Sequence, residues 1–133
     1  MNVEIDFIAH EPAIARKVLL ELFRIADGLG KSDGWCEGDY VPEDRLVAPV
    51  PVLEHLMVGD WLAFAFKSFQ IDEFIFSDCL IRVLKFDENI NIVVDFDLDG
   101  GSAEEQRLVR VIDGWSKALA SRTGVDQTAI QLS

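Results

Sequence analysis

Asp95, Asp97 and Asp99 stand at alternate positions ahead of Gly100 and Gly101, the most motif-like string of acids in this 133-residue chain. Three spaced carboxylates followed by a glycine turn are how an EF-hand calcium loop begins. The match then fails. The twelfth position, which should be a bidentate Glu, is Gln106, and the eighth, normally apolar, is Ser102. Ile90 to Phe96 reads as a strand where the loop needs a helix. On a strand, carboxylates two residues apart lie about 7 Å from one another, too wide to share one ion. The string predicts a solvated strand face first and, as a second reading, an edge that a partner binds. A small metal-dependent enzyme using Asp95, Asp97 and Asp99 is the alternative.

The other reactive residue types are scattered. His10 and His55 stand alone, with no H-x-x-x-H or H-E-x-x-H spacing. Cys36 lies among carboxylates that raise a thiol's pKa, and Cys79 has the surroundings of a core position. Two cysteines without a C-x-x-C pair suit free thiols in a reducing cytoplasm. No G-x-S-x-G is present, and no glycine-rich phosphate loop. Asp99-Gly100-Gly101-Ser102 opens a helix with acids beside it, which repels phosphate. We therefore expect no catalytic residue, no resident metal and no cofactor.

A second acidic stretch, Ser32 to Asp44, interleaves Asp33, Glu37, Asp39, Glu43 and Asp44 with Trp35 and Tyr40. Rigid aromatics set among outward charges have the composition of a binding hot spot. The competing account folds both aromatics back over a sheet edge. This stretch and Phe86 to Gln106 together hold twelve acids and no Lys or Arg, which equals the formal net charge of −12. Such fields attract cations and basic proteins, and repel nucleic acid and anionic membranes.

The elements that must position these residues follow from periodicity. Val3, Ile5 and Phe7 alternate with Glu4 and Asp6, predicting a strand. Ile14, Val18, Leu22 and Ile25 recur at helical spacing after Pro12, predicting a helix over 12–27 that Gly28 and Gly30 stop. Residues 31–51 read as a long loop, and 52–58 as a strand turning at Gly59-Asp60. Leu62, Phe64 and Phe66 suggest the next strand. Phe74 to Phe86 and Ile90 to Leu98 form the clearest pair, joined by a two-residue turn at Glu88-Asn89 with Arg82 opposite Asp95. Ser102-Ala103-Glu104-Glu105 is a capping box, and Leu108, Val111, Ile112, Trp115 and Leu119 stripe the helix it opens. Gly124 ends that helix, and Ala129 to Leu132 suggests a short further strand.

The order β-α-loop-β-β-β-β-α describes an α+β chain: an antiparallel meander with two helices packed on one face. Residues 1–133 suit one globular domain, large enough for a core without disulfides. Half the residues are hydrophobic, which excludes a disordered tail, and no apolar run reaches membrane-spanning length. By class, the chain is similar to bacterial immunity proteins, small acidic domains that occlude the cationic active sites of toxins. That similarity implies a basic protein partner, such as a toxin or nuclease domain, bound through Asp33, Trp35, Glu37, Asp39, Tyr40, Glu43, Asp44, Asp95, Asp97 and Asp99. The third alternative is a ligand-binding or homodimeric accessory module with a pocket or interface lined by Phe64, Phe66, Phe69, Phe74 and Phe76.

Overall fold

Val3, Ile5, Phe7 and Ala9 are buried while the residues between them are not, so Asn2–Ala9 forms a strand (β1) with a single core face. The computed structural model describes residues 2–28, 34–38, 60–98, 102–125 and 127–133. After β1 come helix α1 (Pro12–Gly28), β2 (Gly34–Gly38), β3 (Trp61–Ile71), β4 (Phe74–Lys85), β5 (Ile90–Asp97), helix α2 (Ser102–Thr123) and β6 (Gln127–Leu132). The strands form one antiparallel sheet in the order β2-β3-β4-β5-β1-β6. The architecture is α+β, as the periodicity predicted. One element differs from expectation and another is untested. The stretch read as a loop over 31–51 contains β2, and the expected strand over 52–58 lies outside the described residues.

Both helices pack on the same face of the sheet. Ala15, Val18, Leu19, Leu22 and Phe23 of α1 are buried, and Phe23 meets Phe66 of β3 edge to face at 5.4 Å. From α2, Trp115 makes edge contacts with Phe7 at 6.2 Å and Phe69 at 5.9 Å. The two helices touch through Arg122, 3.6 Å from Glu21. Pro12 occupies the first turn of α1, where its missing N–H costs nothing. There the amides of Ile14 and Ala15 donate to the Glu11 carbonyl at 3.1 and 3.2 Å. At the end of α2, Gly124 takes φ +87°. That left-handed turn lets the Gly124 and Val125 amides both donate to the Ala120 carbonyl at 3.0 Å.

The β4–β5 hairpin turns one residue earlier than its sequence suggested. Lys85 pairs with Ile90 and the Phe86 amide donates to the Asn89 carbonyl at 2.8 Å, leaving Asp87 and Glu88 as the two turn residues. Arg82 consequently faces Val93, and Asp95 faces Leu80. The slip displaces one strand against the other by two residues, so every side chain keeps its face. A turn at Asp87-Glu88 also keeps Asn89 close to Asn91, whose side chain accepts a hydrogen bond from the Asn89 amide group.

Core-facing parity reverses within the β3–β4 pair. Cys79, Ile81 and Val83 are buried on one side of Asp78, whereas on the other side Phe76 is buried and Ile75 is exposed. In β3 the buried positions change likewise from Leu62 and Phe66 to Phe69 and Ile71. Asp78 is the cause: its φ of +57° flips the strand, and the residue 67–78 pair drops from the ladder. Asp tolerates this region and a β-branched residue does not. Asp78→Val is expected to cost about 1–2 kcal/mol, with Asp78→Gly at or above wild-type stability. Denaturant midpoints at unchanged slope will check both.

Candidate functional site: an acidic sheet face

The face of the sheet away from the helices gathers carboxylates from two distant parts of the chain. On β1 it carries Asn2, Glu4, Asp6 and Ile8; on β5, Asn91, Val93, Asp95 and Asp97; on β4, Leu80, Arg82 and Leu84. The β1–β5 register sets Glu4 beside Asp95 and Asn2 beside Asp97. Four carboxylates thus share one face with the Arg82 guanidinium.

Their geometry is ordered by two hubs. The Asn2 side-chain amide donates to Asp95 Oδ1 at 2.6 Å and to Asp97 Oδ1 at 3.2 Å, bridging the pair without a cation. Arg82 reaches over Val93 to donate to Glu4 at 2.9 Å and lies 3.8 Å from Asp95. One positive charge between two carboxylates leaves the cluster net negative. Asp6 has no such hub: its Oδ1 is buried without a hydrogen-bond partner among the described residues, as is Arg82 Nε. Burial pushes the Asp6 carboxyl above its usual 3.8, the charge of Glu4 pushes the same way, and Arg82 opposes them. The face therefore already holds more negative charge than it can satisfy internally.

Around these acids the face is apolar. Val93 and Ala63 are buried within the sheet surface, Leu80 and Leu84 are half-buried, and Trp61 beside Leu84 is 40% exposed. The hairpin tip adds Phe86, 53% exposed, next to Asp87 and Glu88. At the β2 edge the register places Trp35 beside Ala65 and Glu37 beside Ala63, two β3 positions belonging to this same face. Helices carry the opposite tendency. Seven of the twelve bases (Arg16, Lys17, Arg24, Arg107, Arg110, Lys117 and Arg122) lie on α1 and α2.

Among the residues expected to bind a partner, Asp95 and Asp97 are thus joined by Asn2, and Trp35 and Glu37 enter the same sheet. Asp33, Asp39, Tyr40, Glu43, Asp44 and Asp99 lie outside the described residues, as does His55. The sequence reading set Arg82 against Asp95 but missed Glu4, Asp6 and Asn2 as companions of Asp95. Their signal was present, since the acids alternating with Val3, Ile5 and Phe7 had to face away from the core. Nothing local said that β1 lies next to β5.

Among the described residues no three His, Cys, Asp or Glu side chains converge as metal ligands. Cys79 is buried, and its thiol is pushed well up by burial and the charge of Asp95, against a hydrogen bond from the Asp95 backbone. Phe66, Phe69 and Phe76 are buried in the core, Phe76 stacking on Phe96 at 4.6 Å, while Arg107 sits over the Phe74 ring at 5.1 Å. No described helix is long and apolar enough to cross a membrane.

A solved structure shares this fold. A chain in the 1.75 Å crystal structure of the toxic C-terminal tip of CdiA from Pseudomonas aeruginosa in complex with immune protein superimposes with a TM-score of 0.79. The match covers 99% of this chain and 86% of the other, at 13% identity. No family model matches the sequence, and no curated protein does. At that identity the likeness is one of fold.

Proposed function

We propose that this chain is an immunity protein that binds a basic toxin domain and occludes its cationic surface by charge mimicry. One observation carries the reading: Glu4, Asp6, Asp95 and Asp97 gather on the sheet face away from α1 and α2, with Arg82 reaching Glu4 and Asp95 among them. Toxins that cut nucleic acid hold phosphates with Lys and Arg, and a fixed array of carboxylates offers those groups an alternative ligand. The fold shared with a chain of a toxin–immune protein complex supports the same reading. The acidic segment with Asp33, Trp35, Glu37, Asp39, Tyr40, Glu43 and Asp44, together with Asp99, extends the proposed contact surface, and Trp61 and Phe86 supply its exposed apolar anchors. Pairing with cationic groups of a toxin would relieve the repulsion that the carboxylates now exert on one another.

The test is co-expression with a candidate basic toxin domain. The expected result is rescue of growth and a 1:1 complex on size exclusion. Its affinity should fall steeply as salt is raised, because opposed charge fields are screened beyond about 8 Å at physiological ionic strength. An absence of complex at low salt, or an affinity indifferent to salt, would defeat the proposal.

A further inference from the structure

We propose that a second copy of this chain pairs with it along β6, joining two sheets into one of twelve strands. This inference is independent of the toxin reading and concerns the opposite end of the sheet from β2. Among the described residues β6 pairs with β1 alone, and no described strand occupies its outer edge. The hydrogen-bond pattern says which groups line that edge. Asn2 and Ser133 exchange both backbone bonds, at 2.9 and 3.1 Å. In an antiparallel ladder such pairs alternate, so residues 131 and 129 also turn toward β1. Thr128, Ile130 and Leu132 then direct their N–H and C=O groups outward.

That outward set is self-complementary. A two-fold axis at Ile130 sets Ile130 against Ile130 of the second copy, and Thr128 against its Leu132. Every outward donor then meets an acceptor. Leu132, 49% exposed, comes to lie opposite Thr128 and diagonal to Ile130 of the second copy. Edge strands that avoid such pairing carry charges, proline or a bulge. Gln127–Leu132 (QTAIQL) has none of the first two and pairs with β1 without interruption.

Charge also selects the second copy at this place. In a chain of net charge −12, β6 contains no ionisable residue, so identical strands meet there without like-charge opposition. The nearest acids on the sheet, Glu4 and Asp6, lie one strand inward on β1. Across the joint the β1 strands of the two copies would be three strand spacings apart, roughly 14 Å. That exceeds the ~8 Å screening length of physiological salt. Because the axis runs perpendicular to the sheet, both helix layers lie on one side and both acidic faces on the other.

Light scattering after size exclusion of the full chain tests this. The expected mass is twice 14.9 kDa at high concentration, falling on dilution. T128K/L132K should be monomeric, as should T128E/L132E, and an equimolar mixture should recover the doubled mass because opposite charges then face each other in every 128–132 pair. Circular dichroism melts confirm that the variants fold. A wild-type mass of 14.9 kDa at every concentration, or doubled mass in both single-sign variants, would overturn the proposal. Monomeric variants that fail to recombine would overturn the register centred on Ile130. If the variants do not fold, amide exchange of the wild-type chain decides: Thr128, Ile130 and Leu132 must slow with rising concentration, and concentration-independent exchange refutes the pairing.

Discussion

Converting Asp97 to lysine while neutralising Asp6 (D97K/D6N) is expected to weaken binding of the toxin domain by about 100-fold without lowering the melting temperature. The two halves of this expectation come from different physics. Close charge pairs across protein interfaces couple by roughly 1.5–7 kcal/mol, so losing two at the low end costs about 3 kcal/mol, or two decades in affinity. Within the isolated chain the same acids do little for stability. Asp97 is exposed and takes only part of the Asn2 donation, at 3.2 Å. Asp6 works against the fold, being a carboxylate with a buried, unpartnered oxygen beside Glu4.

The pH dependence has a definite sign. With its folded value raised above 3.8, Asp6 contributes stability that is fully present below the unfolded value and lost as pH rises through the folded one. Asp6→Asn should flatten that decline, and melting curves across the carboxylate range will show it. Calorimetric titration gives the affinity. A double variant that binds like wild type would remove the carboxylates of β1 and β5 from the interface.

The largest expected loss of stability is at Phe7. Its ring is fully buried beneath α2, edge-on to Trp115, on a strand flanked by β5 and β6. Phe7→Ala is expected to cost about 3–5 kcal/mol, from lost transfer energy and an unfilled cavity. A domain of this size has roughly 5–15 kcal/mol in total. The cost falls on the same strand that presents Glu4 and Asp6 on its other face. Urea unfolding measures the effect, and a loss under 1 kcal/mol would mean that β1 is not held as described. The comparison with Asp6→Asn is instructive. Adjacent residues on one strand carry opposite signs, one sustaining the fold and the other taxing it.

How much of this was legible in the sequence depends on how local the cause was. Pro12, the apolar repeat through Ile25, the capping box at Ser102 and Gly124 are short-range signals, and both helices begin or end at them. The alternation in β1 and β5 was equally plain, and so was the open acidic side of Asp95 and Asp97. Arg82 kept the expected face even though its opposite number became Val93, since a two-residue slip preserves parity. The site itself was not legible, because it requires Glu4 and Asp95 to be neighbours across 91 positions of chain. Nor was the reversal at Asp78 visible, as a positive φ at an aspartate leaves no mark in hydrophobic periodicity. The strand inside the acidic stretch, β2, was masked by its glycines, Gly34 and Gly38.

The position of β1 between β5 and β6 sets a timetable for synthesis. A ribosome adding roughly 5–20 residues per second releases β1 early but needs on the order of 5–20 s more to deliver its first neighbour, Ile90–Asp97. Until then Val3, Ile5 and Phe7 must be kept from premature association, and no half-made product can display the Glu4–Asp95 pairing. Nascent chains of this protein should therefore acquire their acidic surface late and all at once, and a truncated translation product should lack it altogether.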